Sequence, residues 1–178
     1  MMVSTITRDA VRSLRTITQS DFAPILVVGL GDGTTLSHLL RDGYVNMTVV
    51  EASEEVIKAG QDSFADYGII VRWLCSELQS APIKPNRFAL WLDGLLFDSL
   101  ATPEEQLSYL RFMESRLRQG GVAVIATTTN IEQLISTNPE FTLELEEVDP
   151  STYQQIGLIQ EVNANHKLWA LKQPTVIV

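Results

Sequence analysis

Residues 25–33 read Ile-Leu-Val-Val-Gly-Leu-Gly-Asp-Gly, an apolar run followed by three glycines at alternate positions. A short continuous apolar run bounded by glycines is typical of a strand buried on both faces. Glycine has no Cβ, so it permits a tight turn and lets a ligand approach the backbone closely. A helical pattern begins at Thr34, and the first amides of such a helix attract anionic groups. The stretch therefore predicts a buried strand, a ligand-binding turn and a helix.

Strand and helix patterns alternate from this turn onward. The predicted strands are 25–28, 47–50, 69–74, 88–92 and 122–126. Three helices are predicted over 7–18, 34–41 and 131–136. Two more are predicted from their ends: one is capped by Ser53, and the other is opened by Thr102-Pro103-Glu104-Glu105 and ended by Gly120-Gly121. Two later stretches, 141–146 and 167–172, alternate apolar and polar residues, which is typical of antiparallel edge strands. The order predicts an α/β fold, a doubly wound and mostly parallel sheet with helices on both faces and an antiparallel C-terminal edge. We expect one domain over residues 1–178, with 1–24 as a helical extension.

Composition restricts the classes of function. The net charge is −9, so the molecule repels phosphate backbones, which disfavours nucleic acid as a partner. The single cysteine, Cys75, excludes an internal disulfide, and His38 and His166 form no recognisable metal motif. We expect no bound metal and interpret both histidines as structural or exposed residues. No apolar run approaches the roughly 18 residues of a membrane span, and we expect a cytoplasmic protein.

The predicted strand ends bring the candidate site together. In a doubly wound sheet, ligands bind beyond the carboxyl ends of the strands, here Gly29–Gly33, Glu51-Ala52, Cys75–Glu77 and Asp93–Phe97. The carboxylate of Glu51 can accept hydrogen bonds from both hydroxyls of a ribose. The third glycine comes one residue too early for the dinucleotide fingerprint, and no Gly-Lys-Ser/Thr follows it. The residues therefore favour a nucleoside that carries a carboxylate over one that carries a pyrophosphate.

Four segments resemble, in order and spacing, the class I S-adenosylmethionine-dependent methyltransferases. They are residues 27–33, 49–52, 88–93 and 117–125. The resemblance implies S-adenosylmethionine as cofactor and assigns its contacts by position. The backbone of Gly29, Leu30, Gly31, Asp32 and Gly33 would face the methionine part, Glu51 the ribose, Ala52 the adenine ring, and Ser76 or Glu77 the adenine amino group.

Asp93 matches the family position that faces the sulfonium and the acceptor, so it is the candidate catalytic carboxylate. The alternative is a strand-end group that orients the acceptor or caps local amides. The run Leu95-Leu96-Phe97 either lines an acceptor pocket or belongs to the core.

A narrower resemblance, over residues 31–36 and 49–57, is to the spermidine synthase-type polyamine aminopropyltransferases. Those enzymes hold a cationic amine with paired aspartates after the fourth strand. Here Asp93 is followed by Gly-Leu-Leu-Phe, so the second acid is missing, as is the family's N-terminal strand domain.

The main hypothesis is therefore methyl transfer from S-adenosylmethionine to a small-molecule acceptor. The alternatives are aminopropyl transfer from decarboxylated S-adenosylmethionine and a non-catalytic binding subunit that keeps the fold. Because so short a chain has few residues with which to enclose an acceptor, a second copy or a partner subunit is a candidate to complete the site.

Overall fold

The computed structural model describes residues 18–148 and 165–176. The predicted helix 7–18 lies outside these residues except for Thr18. The strands are β1 (Ile25–Val28), β2 (Met47–Glu51), β3 (Val71–Cys75), β4 (Phe88–Asp93), β5 (Leu117–Thr127), β6 (Glu144–Val148) and β7 (Lys167–Lys172). The helices are α1 (Thr34–Arg41), α2 (Glu54–Ser63), α3 (Leu96–Ser99), α4 (Pro103–Arg116) and α5 (Ile131–Ser136), with single 3₁₀ turns at Ala65–Tyr67 and Leu78–Ser80.

All seven strands form one sheet in the order β3-β2-β1-β4-β5-β7-β6. The first five in this order are parallel, whereas β7 is antiparallel to both β5 and β6. The predicted mostly parallel sheet with an antiparallel edge is confirmed. The chain runs outward from β1 to β3 and then returns to β4 on the other side of β1, which is a topological switch point. None of the described helices is long and apolar enough to cross a membrane.

The two faces of the sheet carry separate apolar clusters. Alternate residues of a strand point to opposite faces, so Ile25 and Val27 pack on the side of α1 and α2, and Leu26 and Val28 on the side of α4 and α5. α1 buries Leu36, Leu39 and Leu40 against the first face. Each such leucine contributes about 2 kcal/mol of burial free energy. Helices therefore cover both faces, and the carboxyl ends of the strands are left for a ligand.

Two predicted caps start helices beside that edge. The Ser53 hydroxyl accepts a hydrogen bond from the Val56 amide at 3.3 Å, and α2 begins at Glu54, three residues after the end of β2. The amide of Glu105 donates to the Thr102 hydroxyl at 3.2 Å, and the Glu105 carboxylate accepts from the Thr102 amide at 3.1 Å. Both capping interactions satisfy amides that have no partner within the helix.

The predicted start of the third strand is wrong by two residues. Ile69 is fully exposed, and the Ile70 amide donates to the Tyr67 carbonyl at 2.9 Å. This turn continues the 3₁₀ turn at Ala65–Tyr67, so β3 begins only at Val71. Apolar character alone could not separate the turn from the strand.

The glycine pair 120–121 lies inside β5 and does not end the preceding helix. α4 ends at Arg116, and β5 already pairs with β4 at Leu117. The register then shifts, because Phe88 faces Leu117 whereas Leu90 faces Val122. A Cβ on Gly121 would lie 2.6 Å from the carbonyl oxygen of Phe88. This irregularity in the pairing of β4 with β5 therefore requires glycine, which has no Cβ.

The alternating stretch 141–146 is a strand only from Glu144 onward. Before it, the amide and hydroxyl of Thr142 both donate to the Glu114 carboxylate on α4, at 3.0 and 2.9 Å. Phe141 and Leu143 are buried on the side of α4. The apolar residues of this part of the stretch therefore face the core as predicted, although the backbone does not pair as a strand.

Candidate functional site

A cavity of about 260 Å³, partly open to solvent, lies at the carboxyl ends of β1, β2 and β3. This is the edge where a doubly wound sheet binds its ligands. Its lining comes from the ends of these strands and from the segment after β4: Val28, Gly29, Val50, Glu51, Ala52, Ser76, Glu77, Leu78, Leu95, Leu96 and Ser99. Five of the predicted site residues, Gly29, Glu51, Ala52, Ser76 and Glu77, are therefore brought together around one space.

The glycine turn forms the floor of the cavity. Gly29 has a φ of 74°, which favours glycine, and its amide donates to the Val50 carbonyl at 2.8 Å. A Cβ at this position would point into the space beside the Glu51 carboxylate, 4.0 Å from Oε2. The absence of this atom keeps the floor open to a ligand.

The other predicted residues of the turn shape it without lining the cavity. Leu30 is buried, and its amide donates to Glu51. Asp32 is exposed, and its carboxylate accepts from the Thr34 amide at 3.0 Å. A Cβ on Gly33 would lie 3.1 Å from the ring of Phe64, so this glycine serves the packing of α1 against α2.

Glu51 is held between the first two strand ends. Its Oε2 accepts from the Leu30 amide at 3.2 Å and its Oε1 from the Ser53 amide at 3.0 Å. An ionised carboxylate has about four lone-pair sites, so each oxygen of Glu51 can accept one more hydrogen bond. The half-buried side chain faces the cavity, and two neighbouring hydroxyl groups of a ligand match this acceptor pair.

Ser76 and Glu77 lie on the β3 side of the cavity. The Ser76 amide donates to the Glu51 carbonyl at 3.1 Å, which joins this tip to the end of β2. The Ser76 hydroxyl donates to the Glu77 carbonyl at 2.8 Å. The carboxyl ends of β2 and β3 are therefore connected by a hydrogen bond. Contact of the Ser76 or Glu77 side chain with adenine stays a prediction.

The opposite wall is apolar and comes from the segment that follows β4. Leu95 has an exposed fraction of 58 %, and its Cδ1 would lie 3.6 Å from a Cβ on Gly31. Leu95 thus lies over the glycine turn, with Leu96 beside it in the cavity wall. Phe97 is fully buried, so the run divides between the pocket and the core.

Asp93 is buried beneath this wall and does not line the cavity. Its Oδ1 accepts from the amides of Leu95 and Leu96 at 2.9 and 2.8 Å. Its Oδ2 accepts from the Phe97 amide at 3.0 Å and from the Tyr109 hydroxyl at 2.5 Å.

Burial raises the pKa of Asp93 above its ordinary value, although these four donors oppose the shift. The geometry favours the capping role over that of an exposed base. Contact of Asp93 with reacting groups stays a prediction.

A second polar cluster, which the sequence did not indicate, lies beyond β4, β5 and β7. In this Asp98 cluster, Oδ1 accepts from the Thr128 amide, the Thr127 hydroxyl and the Thr128 hydroxyl at 2.7, 2.8 and 3.0 Å. Oδ2 lies 2.9 Å from Nε2 of His166. Partial burial acts to raise the pKa of Asp98, but the Thr128 amide, the Thr127 hydroxyl and His166 lower it to about 2.

Sequence reasoning missed this cluster because Asp98 and His166 are 68 positions apart. The only local signal was the run of threonines at 127–129 after a predicted strand. Leu78 and Ser99 were also missed as lining residues, since neither belongs to a motif. Within the described ranges, no group of three or more histidine, cysteine or acidic residues could hold a metal ion.

Comparison with known proteins places the chain among methyltransferase-like folds. A family model described as a methyltransferase domain matches residues 25–121, more than half of the chain. No curated protein sequence matches it.

Several solved structures share the fold. The [4+2]-cyclase SpnF has a TM-score of 0.66 at 15 % identity, over 96 % of this chain and 82 % of that one. The 1,6-didemethyltoxoflavin-N1-methyltransferase of Burkholderia thailandensis, with bound 1,6-didemethyltoxoflavin and S-adenosylhomocysteine, has a TM-score of 0.64 at 19 % identity, over 98 % and 80 %. The N-methyltransferase NodS of Bradyrhizobium japonicum, in complex with S-adenosylhomocysteine, has a TM-score of 0.60 at 14 % identity, over 97 % and 90 %.

Proposed function

Because the chain belongs to the family of methyltransferase domains, we propose that it transfers a methyl group from S-adenosylmethionine to a small-molecule acceptor. The observation that carries the proposal is the pairing of Gly29 with Glu51 at one cavity. The glycine leaves room beside a carboxylate that is fixed by two amides and can accept two further hydrogen bonds. That arrangement suits the two hydroxyls of a ribose. The two neighbours crystallised with S-adenosylhomocysteine support the same nucleoside here.

The other lining residues fit the rest of such a cofactor. Ala52, Ser76 and Glu77 lie around the β3 side, where an adenine ring would follow the ribose. Leu95, above the glycine turn, would cover the methionine part and exclude water from it. In this proposal Asp93 acts by holding the turn that carries Leu95 and Leu96.

When bound, S-adenosylmethionine supplies an electrophilic methyl group on a sulfonium. The residues of the chain therefore have to bind it, orient the acceptor and keep the space dry, and a base is needed only where the acceptor must lose a proton. An apolar wall of Val28, Val50, Leu95 and Leu96 suits this task.

The charge of the chain and one structural neighbour support a small-molecule acceptor. The net charge of −9 disfavours nucleic acid, and the Burkholderia thailandensis enzyme was crystallised with a small molecule. We also propose the cytoplasm as the compartment, since the free and exposed thiol of Cys75 suits reducing conditions. A partner subunit that completes the acceptor side stays a prediction.

Isothermal titration calorimetry with S-adenosylmethionine, S-adenosylhomocysteine and decarboxylated S-adenosylmethionine tests the cofactor. We expect the first two to bind with micromolar dissociation constants. Preference for the decarboxylated form would replace the proposal with aminopropyl transfer. Absence of binding for all three would leave a non-catalytic subunit.

The substitution Glu51→Gln tests the ribose contact in the same titration. We expect this substitution to weaken the binding of S-adenosylhomocysteine about tenfold, because hydrogen bonds to a charged group contribute about 1.5–3 kcal/mol. Glu54→Gln is the matched control, since Glu54 is exposed on α2 and does not line the cavity. Equal affinity of the Glu51 and Glu54 variants would remove the ribose assignment.

A further inference from the structure

The amino edge of the sheet, at which the parallel strands begin, carries a group of exposed apolar side chains. It lies opposite the edge that holds the cavity. Among the described residues, six large apolar side chains are exposed, and five of them belong to segments at the amino edge. These five form the amino-edge patch: Phe22, Val45, Tyr67, Ile69 and Val176. The sixth is Leu95 of the cavity wall. Single exposed apolar residues are ordinary, whereas a group of them at one face indicates a contact surface.

The sheet holds the patch together because neighbouring strands begin side by side. Phe22 precedes β1, Val45 precedes β2, and Ile69 precedes β3. Hydrogen bonds join these segments: the Val45 amide donates to the Asp21 carbonyl at 3.0 Å, and the Asn46 side chain donates to the Phe22 carbonyl at 3.1 Å. Three strand starts at the usual spacing span about 10 Å, so these apolar side chains share one small area.

The amino edge also separates charges into two halves. The segments before β1, β2 and β3, residues 19–24, 41–46 and 63–70, hold three aspartates and one arginine, a balance of −2. The segments at the start of β4 and β5, residues 84–87 and 116–121, hold four cations and no carboxylate, a balance of +4: Lys84, Arg87, Arg116 and Arg118. Of the ion pairs that the structure shows among the described residues, none includes a cation of this basic half.

A second copy of the chain matches this pattern. A two-fold axis between β1 and β4 reverses the strand order, so that β1 of one copy faces β4 of the other, and β3 faces β7. The acidic half then faces the basic half in both directions. Val176 follows β7, which is antiparallel to β5 and therefore ends at the amino edge. Tyr67 and Ile69 of one copy accordingly face Val176 of the other.

The amino edge is large enough for a stable dimer. Five strand intervals separate β3 from β7, which gives a length of about 24 Å at a spacing of about 4.8 Å. Helices on both faces of the sheet widen the edge to roughly 30 Å, because each layer adds about 10 Å. The area is therefore on the order of 700 Å², close to the roughly 800 Å² that each partner contributes to a standard interface.

We propose that the chain forms a two-fold symmetric dimer through the amino edge of its sheet. The amino-edge patch is removed from water, and each basic half lies against the acidic half of the other copy. Both cavities open outward at opposite ends of this dimer, so a second copy at this face leaves the cavity of each chain accessible. The inference is independent of the proposed function, because it uses no residue of the cavity.

Sedimentation equilibrium of the full chain tests the proposal. We expect a species of twice the chain mass of 19.8 kDa at micromolar concentrations. A monomer at every concentration up to about 100 μM would overturn the inference. Assemblies that grow without limit as the concentration rises would also overturn it, because a two-fold interface closes at two copies.

The substitutions Ile69→Ser and Phe22→Ser locate the interface. Ile69 is fully exposed and Phe22 has an exposed fraction of 74 %, so both variants should keep the fold, which circular dichroism checks. We expect each to raise the dissociation constant of the dimer at least about tenfold, because a symmetric dimer loses the contact twice. Leu95→Ser, exposed at the opposite edge, is the matched control and should leave this constant unchanged. A dimer that the Ile69 and Phe22 variants form as tightly as the unchanged chain would overturn the inference.

An exchange of charges tests the two-fold arrangement. Arg87→Glu places a carboxylate against the acidic half of the other copy, and we expect it to raise the dissociation constant about fivefold at low salt. Adding Asp66→Lys to the same chain should recover part of this loss, because a cation then stands in the half that faces the new carboxylate. A double variant that dimerises no more tightly than Arg87→Glu alone would overturn the arrangement. Titration of these variants with S-adenosylhomocysteine tests the proposed function separately, since the cavity is unchanged.

Discussion

Asp93 illustrates, at the scale of a residue, how a buried carboxylate can shape a pocket that it does not touch. Its two oxygens receive three consecutive amides, from Leu95 to Phe97, and a tyrosine hydroxyl. Tyr109 in turn accepts from the indole nitrogen of Trp91 at 2.9 Å. The chain therefore turns sharply after β4 and presents Leu95 to the cavity. The position of Asp93 at a strand end could be predicted from the sequence, but its four hydrogen-bond donors could not.

The capping role predicts a loss of stability when either end of this network is changed. Tyr109→Phe leaves the Trp91 N–H without its acceptor and Asp93 with one donor fewer, so we expect a loss of about 2 kcal/mol in the free energy of unfolding. Asp93→Asn should cost about 2–3 kcal/mol, because an amide nitrogen would replace an acceptor that faces donors. Urea denaturation measures both.

Asp62→Asn, an exposed change on α2, is the control and should leave stability unchanged. Wild-type stability in Asp93→Asn would show that this carboxylate is not needed as a cap.

At the scale of an element, β5 shows why a local pattern can assign glycines to the wrong structure. A Gly-Gly pair after an amphipathic helix is typical of a helix end. Here the pairing of Leu117 with Phe88 ends the helix earlier, and the glycines accommodate the shift in register with β4. The Gly120 amide and the Gly121 carbonyl also bond to Gln173 beyond β7, both at 2.9 Å. These contacts are long-range, so no local window contains them.

The irregularity predicts that Gly121→Ala is costly. Its Cβ would lie 2.6 Å from the Phe88 carbonyl oxygen and 2.9 Å from that of Arg118, both backbone atoms that cannot move alone. We expect thermal unfolding to show a loss of about 2 kcal/mol.

Gly68→Ala is the matched control, because Gly68 has an ordinary φ of −57° in an exposed turn and its Cβ would lie 3.3 Å from one carbonyl. A Gly121 variant no less stable than the Gly68 variant would contradict this account of β5.

At the scale of the whole molecule, the mostly parallel sheet with its antiparallel edge and the place of the cavity were predictable, because both follow from local patterns and from rules of parallel sheets. β1 and α1 have the predicted bounds, and Glu51 lies where the second strand ends. What could not be predicted depends on folding distant segments together. His166 meets Asp98 only because β7 runs antiparallel to β5, so that its first residue, Lys167, pairs with Thr127 at the site edge.

The central claim is that S-adenosylmethionine binds at the carboxyl ends of β1 and β2. A crystal structure of the protein grown with S-adenosylhomocysteine tests it most directly. We predict the nucleoside between Gly29 and Leu95, with both ribose hydroxyls within hydrogen-bond distance of the Glu51 carboxylate. A ligand bound elsewhere on the molecule, or one in this cavity with its ribose turned away from Glu51, would contradict the claim.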